Sequence, residues 1–290
     1  MLASPALAAR ILVLTTTENP SSHPDAVTMT SNCIQEFQTI SATPVDVKTN
    51  MNAAGTLTMA DFAPAYDIVA VCAMYEAIHA SNVSVLEQAA KTRAAQAFFI
   101  FADSRSPASG PYVSGFSVIG NSKAWTLNQE SSTGTLNAAL QLNTNSKYQS
   151  DFASADLNPY YNHWLFPYSG VPTDNALYLM PGTPLPAPGS TVTAAAIFVP
   201  QTESYLDGSN VPQGACLFFI ADLNGYVSTV NTGKIAQAAL NAITPGSGAC
   251  FMAPAAPFGA AVPANSTGWL LALAALLSVM TLLGFRNQRA

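Results

Sequence analysis

The chain has 290 residues, room for one large domain or two small ones, with 49% hydrophobic but only 9% charged residues and a formal net charge of −6 at pH 7. Ordinary soluble domains carry about 25% charged residues, so here the polar surface falls to Ser, Thr, Asn and Gln, a style common in exported proteins. No Lys/Arg cluster stands ready to neutralise phosphates, which argues against nucleic acid as a partner.

The opening residues 1–9, MLASPALAA, hold Ala6-Leu7-Ala8. That is the small-x-small pattern that precedes a signal cleavage point. Neither a charged stretch nor a long apolar one comes before it, so the segment reads as the remnant of a signal peptide. From residue 10 to 244 the pattern is α/β. ILVLTTT (11–17) is a continuous apolar and β-branched run, expected as a strand buried on both faces. His23-Pro24-Asp25 opens a helix, since proline is tolerated in the first turn, and Val27, Ile34, Phe37 and Ile40 fall on one side of it. VDVKT (45–49) reads as a second strand and YDIVAVCAMY (66–75) as a third. Ser84 with Glu87 spells a capping box for a helix running to about Arg93. AQAFFIFAD (95–103) is a fourth strand.

Residues 104–175 are rich in Gly, Ser, Asn and Pro, with aromatic clusters such as NPYYNHWLFPY, and are expected as a long insertion of loops and short strands. Strands return at ALYLM (176–180), TVTAAAIFV (191–199) and ACLFFIAD (215–222). NTGKIAQAALNAI predicts a helix from about Thr232 to Ile243, with Ile235, Ala239 and Ile243 on one stripe. Strands alternating with helices predict an open, mostly parallel sheet flanked by helices, with right-handed crossovers.

A Pro/Ala/Gly linker follows over 245–268, then the uncharged run 269–285 from Trp269 to Phe285, which as a helix would reach about 26 Å, near the lower limit for crossing a bilayer. Arg286 and Arg289 lie in the basic end, 286–290, so the positive-inside rule puts Ala290 in the cytoplasm and the domain outside. The order is Val262-Pro263, an apolar helix opening at Trp269, then Arg286 and Arg289. It resembles the C-terminal sorting tails of Gram-negative bacteria, the PEP-CTERM and IPTL-CTERM classes. Ala264-Asn265 stands where the first class has Glu-Pro and the second Thr-Leu, and Gly268-Trp269 inverts the Trp-Gly common in the second. The resemblance implies export, anchoring in the inner membrane by one transmembrane helix, and processing by a sorting protease on the way to the cell surface.

APAYDIVAV, AFFIFADS and GACLFFIADLNGY resemble segments of the class I glutamine amidotransferase-like superfamily, which implies a flavodoxin-like topology. That superfamily carries its Cys nucleophile on a strand–turn–helix elbow, Gly-x-Cys-x-Gly. The matching turn here, Phe101-Ala102-Asp103-Ser104-Arg105, has neither the Cys nor the glycines that permit so sharp an elbow. The resemblance therefore implies the fold and counts against the amidotransferase reaction.

Cys33, Cys72, Cys216 and Cys250 form no CxxC pair, so a zinc site is not expected. Cys72 and Cys216 sit in apolar runs and read as buried free thiols. Cys33 and Cys250 are the expected bridge, with three full pairings open.

Open α/β sheets bind ligands beyond the carboxyl ends of their strands. The residues due there are Thr17 and Glu18, then Tyr75, Glu76 and His79, then Asp103, Ser104 and Arg105, and later Asp222 and Asn224. Ser104 as nucleophile, His79 as base and Glu76 or Asp222 orienting the ring would make an envelope hydrolase. Glu18, Tyr75, Arg105 and Trp164 are candidates for binding a small molecule or glycan. Tyr160, Tyr161, His163, Trp164, Phe166 and Tyr168 would serve a carbohydrate-binding module or an aromatic lid packed on the sheet. Asp222-Leu223-Asn224-Gly225 is similar to the start of a calcium loop, but Gly233 stands where that loop needs its Glu, so an Asx turn is expected. No metal and no cofactor are expected. The leading expectation is a surface-sorted, non-catalytic protein that binds, or contributes to the envelope or matrix.

Overall fold

The computed structural model describes residues 9–17, 20–21, 24–41, 43–63, 65–73, 76, 78–102, 128–129, 140–153, 167–205, 214–220 and 233–252. By its contacts the chain divides into Met1–Pro254 and Ala255–Ala290, and every described residue belongs to the first unit. The tail residues Val262, Pro263, Trp269, Arg286 and Arg289 lie outside the described residues, as does the segment 1–8. Among the described residues no helix is long and apolar enough to cross a membrane.

In chain order the elements are β1 (Ile11–Thr15), α1 (Ala26–Gln38), β2 (Asp46–Lys48), β3 (Tyr66–Ala73), α2 (Ala80–Lys91), β4 (Ala95–Ala102), β5 (Asn128–Gln129), β6 (Gln141–Leu142), α3 (Gln149–Phe152), β7 (Tyr168–Pro172), β8 (Ala176–Leu179), β9 (Thr191–Val199), β10 (Cys216–Ile220) and α4 (Lys234–Ala242). They make an α/β fold around one mixed sheet ordered β2-β1-β3-β4-β10-β9-β7-β5, with β8 joining β9 to β6. The first five strands of that order run parallel. From the β10–β9 pair onward the pairing is antiparallel. The cause is local. Between β9 and β10 the described residues hold one short 3-10 turn, Gln201–Glu203, and an antiparallel pair, unlike a parallel one, needs no crossover helix.

β1 and β10 are apolar almost throughout, as are β3 and β4 beyond Asp67 and Gln96 near their starts, and the interior of the sheet is buried on both sides. Successive side chains of β4 point to opposite faces. Phe99 and Phe101 pack on Phe37 of α1, at ring separations of 6.3 and 6.0 Å. Phe98, the residue before Phe99, packs instead on Phe62 of the 3-10 turn Met59–Phe62, at 6.3 Å. One face therefore carries α1, and the other carries that turn with α2 packed on it. Phe218 stacks on Phe99 at 4.9 Å and on Phe152 at 5.5 Å, which adds α3 to the α1 face. α1 buries Ala26, Met29, Cys33, Glu36 and Phe37. Val27, expected on that stripe, is exposed instead; it lies one position round from Ala26.

The cysteine expectation is overturned. Cys33 of α1 is bonded to Cys72 of β3, and Cys216 of β10 to Cys250, with Cα separations of 6.3 and 5.4 Å. No free thiol remains. Cys72 pairs in register with Phe101, and Cys216 with Ala97, so both bridges stand on the α1 face. Membership of an apolar strand made Cys72 and Cys216 look like core thiols, and they are core. Each simply meets a second cysteine brought down by the helical layer.

The same layer holds a long-range cap. Glu36 is buried within α1 and accepts the backbone N–H groups of Gly233, Ile235 (2.8 Å) and Ala236 (3.1 Å). These are orphan donors at the start of α4, satisfied from another helix and not by a local side chain. Burial pushes the Glu36 carboxyl above its ordinary value, against the three N–H groups that pull it down. Packed chain also continues past Thr244, where the linker was expected to begin. A 3-10 turn, Ala249–Phe251, buries Ala249 and Cys250. The Ala249 N–H donates to Asp151 at 2.7 Å, and Thr202 Oγ1 donates to the Met252 carbonyl at 2.6 Å.

Candidate functional site

Strand order reverses between β1 and β3, and the carboxyl ends of these strands flank the crevice where such sheets bind ligands. Thr15 and Thr16 close β1 and are buried; Thr17 is exposed. The loop after β2 is hydrogen-bonded to this strand end. Met51 N–H donates to the Thr15 carbonyl at 3.0 Å. Asn52 exchanges two hydrogen bonds with the Thr17 backbone, at 3.1 and 3.0 Å. Beneath this loop Asn82 of α2 is fully buried. Its amide nitrogen donates to the carbonyls of Met51 and Ala53 at 2.7 and 2.8 Å, and its oxygen accepts the Leu57 N–H at 3.0 Å. Asn50, in the same loop, adopts a left-handed backbone with φ of 66°, which Asn tolerates better than most residues.

His79 opens α2 from an extended backbone, and it is exposed. Its Nδ1 accepts the Ser81 N–H at 3.2 Å and lies 2.9 Å from Ser81 Oγ. Ser81 Oγ in turn accepts the Gly55 N–H at 3.1 Å. The helix thus starts at Ala80 with His79 as its cap. Ser84, expected to begin the helix, lies inside it and donates to the Ala80 carbonyl at 3.1 Å. The Ser-x-x-Glu match drew attention away from an earlier start, because His is an uncommon cap. The capping role fixes the chemistry of the ring. An amide N–H can only donate, so Nδ1 must present its lone pair, and in the neutral imidazole the proton then sits on Nε2. A ring in that tautomer offers an N–H outward. It cannot take a proton from a serine through Nε2, nor donate from Nδ1 to an orienting carboxylate, and a serine triad needs both.

Of the other expected site residues, Glu76 is described and half-buried. Glu18, Tyr75, Asp103, Ser104, Arg105, Trp164, Asp222 and Asn224 lie outside the described residues. Of the expected aromatic surface only Tyr168 is described, and it is core. It is fully buried, edge-on to Phe219 at 6.2 Å. Among the described residues its hydroxyl has no hydrogen-bond partner, and burial raises its pKa well above the ordinary tyrosine value.

A second polar group escaped the sequence reading. Glu203 is buried beyond the end of β9 and accepts the Tyr148 hydroxyl at 3.0 Å and the Asn175 amide at 2.9 Å. Asn175 also donates to the Phe198 carbonyl at 2.8 Å. Burial first, and then the Glu203 charge, push the Tyr148 hydroxyl far above its usual range, so it stays protonated and donating. The group clamps the α3 segment to the β9 end of the sheet. Its members are far apart in sequence, and no local pattern marks them.

Among the described residues no group of three His, Cys, Asp or Glu side chains could hold a metal ion. The sequence matches no protein-family model, and no curated protein matches it. Its described residues offer a capped helix start, a loop bonded across the end of β1, and four cysteines joined in pairs.

Proposed function

We propose that this is an exported protein whose α/β domain works outside the cytoplasm, in binding or as part of the envelope or matrix, without catalysis of its own. The observation that carries the reading is the pairing of all four cysteines into two buried disulfides. Disulfides persist in oxidising compartments and are reduced in the cytosol. The low charge of the chain and the likeness of its last residues to bacterial sorting tails agree with that compartment. In this reading the uncharged run 269–285 anchors the chain, and a sorting protease processes it in the stretch 253–268.

The absence of catalysis rests on His79. As a cap its ring carries the wrong tautomer for the base of a Ser104–His79–Glu76 triad. Fractionation of cells making the full chain, with thiols trapped by alkylation at lysis, tests the proposal. Envelope fractions should hold the protein with no alkylated cysteine. Recovery from the cytosol with four alkylated cysteines would sink it. An active-serine probe that labelled Ser104 in the exported protein would leave export standing and remove the non-catalytic part.

A further inference from the structure

We propose that a cleft at the amino-terminal rim of the parallel strands binds a small aliphatic primary ammonium ion, with Asp67 as its anionic partner. The cleft has a volume of about 40 Å3, well below the roughly 300 to 1,000 Å3 of pockets that enclose a whole ligand, so it is sized for the ammonium head, with the hydrocarbon body lying over its rim. Ala9, Asp67 and Gln96 line it where β1, β3 and β4 begin, and Leu240, Ile243, Thr244 and Pro245 line it at the end of α4, where the Thr244 hydroxyl donates to the Leu240 carbonyl at 3.1 Å. It lies at the opposite end of the parallel strands from the switch-point crevice.

The charge at this rim is unbalanced. Asp67 Oδ2 accepts the Arg10 backbone N–H at 2.8 Å, and Oδ1 accepts the Gln96 amide at 2.6 Å. Both donors are neutral, and each carboxylate oxygen keeps a further lone pair. The ion pairs among the described residues are Arg10–Asp46, Lys48–Asp61 and Lys91–Glu87, and none reaches Asp67. Arg10, its neighbour across the strands, turns its guanidinium to Asp46 and over the Tyr66 ring, 4.7 Å from the centroid. A second source of negative potential is the carboxyl end of α4, where the helix dipole favours cations.

A carboxylate and a helix carboxyl end facing one small cleft select a monocation and repel an anion. The apolar side chains of Leu240, Ile243 and Pro245 offer surface to a short hydrocarbon body, so an alkylammonium satisfies the site where a bare metal ion would leave that surface wet. This inference does not depend on export.

The test is thermal unfolding of the detergent-solubilised full chain, titrated with n-butylammonium chloride, n-butanol or sodium butyrate. Butylammonium should raise Tm along a saturable curve, because a ligand that binds only the folded state stabilises it. Butanol and butyrate should not. Asp67→Asn should weaken the response by about tenfold or more, since it removes the one charge that pairs with the ligand. Equal responses to butanol, an unchanged response in Asp67→Asn, or no response to butylammonium would overturn the proposal. Should Asp67→Asn fail to fold, Leu240→Lys keeps Asp67 and places an ammonium in the cleft from within. That variant must lose the butylammonium response, and keeping it would overturn the proposal equally.

Discussion

The two faces of the sheet are held by different kinds of bond. On the α1 face, two disulfides and the buried Glu36 tie helices α1 and α4 and the chain around Cys250 to the strands. On the α2 face no covalent link exists among the described residues. Hydrogen bonds centred on Asn82 fasten the loop after β2 to α2, and Phe62 packs on Phe98. A disulfide acts largely by restricting the unfolded chain, whereas a buried amide acts by satisfying groups that would otherwise be stranded in the folded one. The first depends on an oxidising medium and the second does not. Reduction should loosen one face and leave the other as it was.

The comparison breaks hardest at the cysteines. Sequence separations of 39 and 34 predict a loss of about 4 kcal/mol for each bridge in the chain-entropy picture. Urea unfolding of Cys33→Ser/Cys72→Ser and of Cys216→Ser/Cys250→Ser should show losses of similar size, and reductant on the unsubstituted chain, which opens both bridges, should match their sum. On the uncrosslinked face, Asn82→Ala removes three buried hydrogen bonds and leaves the Leu57 N–H without its acceptor, while the Met51 and Ala53 carbonyls keep the His79 N–H and the Thr56 hydroxyl; it should cost about 3 kcal/mol, with or without reductant. A loss at Asn82 that vanished on reduction would mean the faces are not independent.

Glu36→Ala should cost about 2 kcal/mol, less than its three hydrogen bonds suggest, because the change also removes a buried charge. Its native value is raised above the reference of 4.5, so the native state binds the proton more tightly than the unfolded chain. The contribution of Glu36 is then fully present below that reference and declines as the pH rises through the raised native value. Glu36→Gln should flatten stability against pH just above 4.5, and an unchanged slope would count against the raised value. Smallest is the cap: His79→Ala should cost about 1 kcal/mol, while His79→Asn should keep most of it. Hydrogen exchange at the Ser81 amide is the direct readout.

The elements with continuous apolar character were legible in the sequence. Thr191–Val199 forms a strand over its whole expected length, and β1, β3, β4 and β10 fall within the runs that announced them. The stripe of Ile235, Ala239 and Ile243 on α4 is buried as its spacing predicts. Features that depend on two distant segments were not legible. Cys33 finds Cys72 only because α1 crosses back over β3, and Glu36 caps a helix some two hundred residues downstream. The antiparallel half of the sheet was hidden for another reason, since strand direction is set by connections, and residues 104–175 carried too little periodicity to show them. At the candidate site, the sequence placed His79 beyond the third strand but neither at a helix start nor with Ser81 against its ring. His-x-Ser ahead of an apolar stripe was the available signal.

The last described residue, Met252, lies beside the middle of the sheet and not at an edge. Cys250 is bonded to β10, which has strands on either side, and Thr202 grips the Met252 carbonyl. Tension applied to the chain beyond Met252 passes through a covalent bond into that inner strand. Strands that leave a sheet one bond at a time give way under small loads, but β10 is held along both flanks and would have to shear both neighbours at once. The anchorage is that of a rivet through the plate, and its strength is set by the sheet and not by the last turn of chain.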